Sequence, residues 1–529
     1  MKYFKKSMNL LKKIPLSIVF LFFLVIIALK IAPDFGISYD EPIERQHRLI
    51  NSKYIISSLG FEDFFPSYTY DKTVFENYPD RYYGVAAQLP LVILDMLNIS
   101  YETKLYWVVS HLYTHLIFLI SAVCFYILLK KLNFSKLIIF TASALYVFNP
   151  RIYAHSFYNI KDLMFLSLFM ISTFLIYCYL DNKKIKYLIL SCLISAIAVN
   201  SRMMGLLLFG FIFLTILFNQ KNNQKKLLSH SLIALLSFFG CLYLIYPVLW
   251  KNFFTEIILS FLVFSKYENW NGQIIFNGQV IDGNNLSIYY VPIWIAITTP
   301  LVQLFHWILA LLLAPILIIK DYLKKEKRLL VFFCLITIIG SYLAIIFFKS
   351  TLYGDWRHLY YLHVPFCILT AFLLDYFFKK KKIIWKCSIF LIVISMFSTL
   401  SWMIKNHPHY YVYFNQLAGT NWDEKWDRDI WRLSTKQALE KLLTMDTQGK
   451  IVFERNYNVE INAWLLDKNE QNRIVFVDNR AEANYYLVDY RNIVGDYLAN
   501  DDTFSEYLVI EVENKPIMAI YKRQTNLTF

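Results

Sequence analysis

IPLSIVFLFFLVIIALKI followed by APDFGISYDEPIERQ, residues 14–46, decides the fold. The first half is an apolar run of 18 residues (14–31), interrupted by Ser17 and Lys30 alone and long enough to cross a bilayer as a helix. The second half leaves that run and meets two adjacent carboxylates, Asp40 and Glu41, followed by Pro42. Carboxylates at a membrane–water boundary are costly unless they are solvated or used. Pro42 suits a first helical turn, so the plain reading is a helix start with solvated acids. The sharper reading makes one of the two a catalytic base. The lysine-rich start, KYFKKSMNLLKK, has no small-residue cleavage site after the apolar run, so a retained signal anchor is expected.

The rest of the chain has the same character. Its 529 residues are 57% hydrophobic and 18% aromatic, which excludes an ordinary soluble enzyme and fits a polytopic membrane protein. The net charge of +14 does not point to nucleic acid. From Ile404 onward there are 15 Lys/Arg against 19 Asp/Glu, so the positive charge belongs to the membrane part. The seven cysteines lie in or beside apolar runs with no CxxC or metal spacing, which argues against disulfides and a zinc site.

Apolar runs of spanning length fall at 14–31, 105–130, 135–149, 163–180, 186–200, 203–218, 227–247, 292–319, 329–348, 358–378 and 383–403, which gives about 11 transmembrane helices. Two of these are near 15 residues. Every second loop is basic: Lys130, Lys131 and Lys136, then DNKKIK (181–186), NQKNNQKK (219–226), KDYLKKEKR (320–328) and Lys379 to Lys382. Together with the N-terminus these mark the cytoplasmic face. Eleven spans then put residues 404–529 outside.

The expected organisation is a membrane domain over 1–403, with a long first outer loop at 32–104, and a small extracytoplasmic α/β domain over 404–529. Within that loop 84–98 reads as an interfacial helix, and 150–162 reads as a second outer loop. Residues 249–265 read as another interfacial helix, followed by a hairpin-like excursion. In the tail, 451–454, 474–478, 484–490, 507–513 and 517–523 read as strands, with helices over 434–445 and 459–466. The tail has no phosphate loop or triad spacing and is expected to support or recognise.

The outer loops gather the chemistry. They hold Asp40, Glu41, Glu44, Arg45 and His47; Arg81; Arg151, His155, Asn159, Lys161 and Asp162; Arg202; and Asp355, Arg357 and His358. Moving a sugar from a lipid phosphate to a hydroxyl needs a base for the acceptor proton and cations for the departing phosphate. It also needs an apolar groove for the lipid. No cofactor is required, and a divalent cation is left open.

A first outer loop opening on Asp-Glu resembles the GT-C superfamily of integral membrane glycosyltransferases, in the branch of protein O-mannosyltransferases and the lipid A aminoarabinose transferase. RYYGVAAQLP (81–90) stands where that branch has a Pro-Pro-Leu helix, although its His/Lys-Pro-Pro-Leu pattern is absent. NPRIYAHSFYNIKDLMF (149–165) resembles the second outer loop, and YGDWRHLYYLHVPF (353–366) resembles the arginine-bearing start of a late span. HPHYYVYFNQLAGT (407–420) resembles bacterial family 39-like members.

The resemblance implies Asp40 as the general base, with Asp162 as a second acidic position and Arg357 near the donor phosphate. Glu41 is kept as a catalytic candidate beside Asp40. His358, Arg81, Arg151 and Arg202 are further phosphate candidates, and His155, Asn159 and Lys161 are substrate candidates. The expected activity is inverting transfer from a polyprenyl-phosphate sugar to a lipid, glycan or protein acceptor at a bacterial cytoplasmic membrane. Rivals are a transporter or flippase of lipid-linked sugars, a non-catalytic scaffold for the tail, and an oligosaccharyltransferase or ligase with a pyrophosphate donor. The enzyme reading expects Asp40, Asp162 and Arg357 around one outer cavity, and fails if they are scattered.

Overall fold

In hydrocarbon a backbone can satisfy its own polar groups only as a helix or a closed barrel, so each apolar run becomes a helix. The computed structural model describes residues 16–62, 72–265, 272–320, 322–491 and 503–524; the lysine-rich start before residue 16 lies outside them. The helices are α1 (Leu16–Ile31), α2 (Glu41–Ser58), α3 (Lys104–Lys131), α4 (Lys136–Val147), α5 (Pro150–Tyr158), α6 (Asp162–Asn182), α7 (Ile185–Ser201), α8 (Leu206–Gln220) and α9 (Gln224–Ile245). They continue with α10 (Phe253–Ser265), α11 (Tyr290–Thr298), α12 (Leu301–Ile319), α13 (Lys325–Phe348), α14 (His363–Lys380) and α15 (Lys382–Lys405).

The count of spans differs from the expected eleven. Among the described residues, eight helices are long and apolar enough to cross a membrane, or nine if a bent pair forms one span. One expected span, Ile185–Ser201, is only 17 residues long, and the described part of the first, Leu16–Ile31, covers 16 residues. The run at 292–319 is cut into α11 and α12 at Thr299-Pro300, because proline supplies no amide hydrogen to continue a helix.

The bent pair corrects a second expectation. Residues 150–162 do not form an open loop; α5 follows α4 at an angle of 58° and is buried along its length. Asn149 makes the corner. Pro150 disfavours a helical residue before it, and the Asn149 side chain accepts a hydrogen bond from the Ile152 amide at 3.3 Å.

Burial sorts the helices into an inside and an outside. The apolar windows of α6 and of the span Arg357–Lys380 are 83% buried, whereas those of α9 and α15 are 22% buried. The first two therefore form the centre of the bundle, and the other two offer most of their surface to lipid. Ala86–Met96 and α10 are short apolar helices, at the two segments where such helices were expected. After α10 the chain forms a hairpin of β1 (Gln273–Phe276) and β2 (Gln279–Asp282).

The tail forms a five-stranded sheet of β3 (Ile451–Glu454), β4 (Ile474–Val477), β5 (Tyr485–Val488), β6 (Phe504–Val512) and β7 (Lys515–Arg523), in the order β4-β3-β5-β7-β6. β3 pairs in parallel with β4 and β5, while β7 runs antiparallel to β5 and β6. Helix α16 (Ser434–Met445) buries Leu439, Leu442 and Leu443 beneath it.

The segment between α15 and α16 packs into the bundle. Asn415 Nδ2 donates to the carbonyls of Ala296 and Thr299, each at 2.6 Å, and Phe276 bridges to Trp426. Asn462, in α17 (Tyr457–Ala463), grips the stretch before α2. Its Oδ1 accepts from the Ile37 amide at 2.9 Å and its Nδ2 donates to the Ile37 carbonyl at 3.2 Å. Gly36 permits this approach: a Cβ there would stand 2.4 Å from the Leu433 carbonyl oxygen. One apolar core runs from the helices into the sheet.

Candidate functional site

Helix α2 builds one wall of the site. Asp40, Ile43, Glu44 and His47 follow the i, i+3, i+4, i+7 spacing that puts side chains on one helical face, and all four line a cavity of about 210 Å³. Asp40 precedes the helix without capping it: its backbone is helical and its side chain makes no cap bond. Glu41 does the local work. It is buried, one oxygen accepts from the Ser38 amide at 2.7 Å, and the other lies 3.0 Å from His111 Nε2. The two carboxylates are thus unlike in setting, since the Asp40 side chain is 40% exposed within the cavity.

Four cations line the cavity with Asp40: Lys161, Arg202, Arg357 and, from the tail, Arg491. Arg357 is sandwiched between the rings of Tyr353 and Trp431, each 4.6 Å from its guanidinium carbon. Its Nη1 lies 3.1 Å from Asp162 and 3.6 Å from Asp40. Asp162 stands behind the arginines at the start of α6. It pairs with Arg202 and Arg357 and accepts from Asn159 Nδ2 at 3.1 Å. Asp162 is 2% exposed and its oxygens are occupied, so it orients guanidinium groups and has no open face for a substrate.

Lys161 spans the middle of the site. Its ammonium is 3.1 Å from Glu44 and lies over the Tyr83 ring. Burial draws its pKa down to about 8, against the pull of Glu44 and with Arg202 adding to the fall. Burial alone would raise Glu44, but Lys161, His47 and Gln88 outweigh it and hold the carboxyl well below its ordinary value. For His47 burial lowers and the neighbouring Asp80 and Glu44 raise; the carboxylates win and its pKa is raised.

A second, apolar groove of about 150 Å³ adjoins the cavity and shares Tyr83, Arg202 and Tyr353 with it. Met203, Met204, Phe261, Phe264, Ile345 and Phe348 supply its apolar lining. His358 also lines it, with its ring edge-on to Tyr353 at 4.9 Å. Polar cavity and apolar groove thus meet at Arg202. Such a junction suits an amphiphile with an anionic group between a polar head and a hydrocarbon chain.

Asp40 and Arg357 therefore line one cavity, and Asp162 sits directly behind Arg357. Lys161 and Arg202 join them. Other sequence candidates lie elsewhere. Arg81 is outside the cavity, donating to the Glu76 carbonyl at 2.6 Å beside the Tyr82 ring. Arg151 is buried in an ion pair with Asp355 at 2.8 Å, and its role there is to neutralise a buried charge. His155 is enclosed by Asn159 at 3.1 Å and Tyr360 at 3.4 Å, and Asn159 serves Asp162.

The structure adds residues the sequence reading did not assign a role. Glu44 and His47 stood among the outer-loop charges, and their helical spacing puts them on the face of Asp40. Tyr83 and Tyr353 lay within the quoted stretches without a role, and Asp80 carried no signal. Ile430, Trp431 and Arg491 come from the tail, which thereby forms a wall of the site. Among the described residues, no three His, Cys, Asp or Glu side chains converge as a metal-ligand group.

No family model matches the chain, and no curated protein resembles it in sequence. Among solved structures, it aligns with the crystal structure of ArnT from Cupriavidus metallidurans bound to undecaprenyl phosphate. The alignment covers 96% of this chain and 98% of that one, at 10% identity and a TM-score of 0.44. A likeness this distant assigns neither family nor activity.

Proposed function

We propose that the chain is a membrane glycosyltransferase of the GT-C type that takes a sugar from a polyprenyl-phosphate donor and transfers it to an acceptor hydroxyl. One observation carries this reading: a cavity lined by the exposed carboxylate of Asp40 and by four cations adjoins, at Arg202, Tyr83 and Tyr353, an apolar groove among the helices. The prenyl chain takes the groove. The phosphate takes the junction, within reach of Arg202, Arg357 and His358, and the sugar takes the polar cavity.

Asp40 removes the acceptor proton as the acceptor oxygen bonds to the anomeric carbon. The carbon–oxygen bond to phosphate breaks, and its electron pair leaves with the phosphate, whose growing charge the arginines stabilise. Attack opposite the leaving group inverts the anomeric centre. Buried Asp162 keeps Arg202 and Arg357 aimed while leaving the exposed base to Asp40. By the charge of the loops, the site faces outward from a bacterial cytoplasmic membrane, with the N-terminus inside. The acceptor is a lipid, glycan or protein hydroxyl.

The test is to incubate the purified protein with a panel of polyprenyl-phosphate sugars and candidate acceptors and to measure released polyprenyl phosphate. Release that needs an acceptor and Asp40 supports the reading. Release from no donor, or undiminished release by Asp40→Asn, refutes it.

A further inference from the structure

The polar cavity also holds a group that catalysis as described leaves unused. His47 is 2% exposed, yet neither of its ring nitrogens has a hydrogen-bond partner. Nδ1 stands 3.8 Å from a Glu44 oxygen and Nε2 stands 3.8 Å from an Asp80 oxygen. Both gaps are too long for a hydrogen bond. A buried polar group left in this state costs free energy unless something completes it.

The ring cannot turn to find another partner. It is stacked on Tyr83, with centroids 5.0 Å apart and planes 9° apart, and packs edge-on against Tyr78 at 5.6 Å. Its nitrogens are therefore fixed in direction. Asp80 lines the same cavity, with its side chain 28% exposed, so the carboxylate beside Nε2 is within a ligand's reach. A small swing of Asp80 admits an oxygen about 2.8 Å from both groups.

Building on the donor reading, we infer that His47, with Asp80 and Glu44, forms the subsite that grips the transferred sugar, and that this sugar is a polyhydroxylated ring without a carboxylate. Donor nitrogens alternating with carboxylate acceptors match hydroxyls, which both donate and accept. Asp80 and Glu44 disfavour an anion beside them, so the phosphate is left to Arg202 and Arg357. The two carboxylates also disfavour a uronic acid in the same place.

The test is equilibrium binding to the full chain in detergent. The probes are polyprenyl-phosphate hexoses, a pentose and a glucuronate, each compared with polyprenyl methyl phosphate, a diester of the same phosphate charge without a ring. At least one neutral sugar donor is expected to bind roughly tenfold to a hundredfold tighter than the methyl ester, as hydrogen bonds to charged groups allow. The glucuronate should gain nothing.

His47→Phe keeps the stacked ring and removes its nitrogens; it should erase the preference and leave methyl ester binding unchanged. His47→Asn, which restores one donor and one acceptor, should recover part of the preference. A preference that survives His47→Phe, a wild type without one, or a glucuronate bound as tightly overturns the subsite while the lipid-donor reading stands. Loss of methyl ester binding in both variants makes His47 a scaffold residue and also overturns it. Failure of the wild type to bind any of these lipids defeats the donor reading itself.

Discussion

Asp40 and Asp162 both stand beside Arg357, yet replacing each with asparagine should give opposite results. Asp40 lies 3.6 Å from the guanidinium with its side chain 40% exposed. Without its charge, Arg357 still has Asp162 at 3.1 Å. Asp40→Asn should therefore cost stability no more than an exposed ion pair does, about 0–1 kcal/mol. The chemical step is another matter. Removing a general base slows it by about 10²–10⁴, or roughly 3–5 kcal/mol of barrier.

Asp162 is buried, and its two oxygens hold Arg202 and Arg357. Asp162→Asn leaves two guanidinium groups buried side by side with one carboxylate fewer, a defect of about 3–5 kcal/mol. The pair is read by thermal unfolding in detergent together with single-turnover release of polyprenyl phosphate. Asp40→Asn should melt with the wild type and turn over at 1% or less of its rate, within that ~10²–10⁴ range. Asp162→Asn should melt early and bind donor poorly. The assignment of roles fails if Asp40→Asn transfers at near the wild-type rate, or if the two variants unfold alike.

Two further outcomes follow from the same geometry. Lys161 titrates near 8, below the ordinary lysine value, so donor binding should weaken as pH rises through about 8 and its cation is lost. Over that interval the folded chain holds fewer protons at Lys161 than the unfolded chain, so this group's contribution to stability rises with pH, and the loss of binding is not unfolding. A pH series of binding and melting should show the two moving apart, and Lys161→Met should bind weakly at every pH without that step. Trp431→Ala removes one of the two ring faces around Arg357, worth about 0.5–2 kcal/mol. Binding of polyprenyl methyl phosphate should weaken roughly twofold to thirtyfold, and a wild-type affinity would mean that the tail does not shape the site.

What could be read from the sequence was what the chain encodes locally. Apolar length marked the spanning helices, and short apolar runs marked all five strands of the tail. Arg202 stood out as a cation wedged between two apolar runs, where it must have a partner, and Arg357 through the resemblance of its stretch to the start of a late span. The partner itself was hidden. Arg151 was placed with the phosphate binders, but Asp355, 204 residues away, takes its charge. The buried corner at Asn149-Pro150 looked like a loop because its polar residues face the protein interior and not water. Glu44 and His47 could have been found from the face they share with Asp40. Trp431 and Arg491 could not, since only the folding of the tail against the bundle brings them to a helix that starts 390 and 450 positions earlier.

That long-range contact explains why Asp40 can stay exposed without being loose. The residues before it run straight from α1 into the grip of the tail: Ile37 is held on both backbone groups by Asn462, and the Tyr39 amide donates to the Trp431 carbonyl at 3.4 Å. The residues after it are fixed by the Glu41–Ser38 contact that starts α2. Asp40 is therefore clamped through its backbone on both sides, and its side chain is spared from capping the helix. A base must be accessible to its substrate and also held to within a fraction of an ångström. Here the helix supplies access and the tail supplies the hold. Trp431 meets both demands at once, anchoring the Tyr39 backbone through its carbonyl and walling the Arg357 guanidinium with its ring.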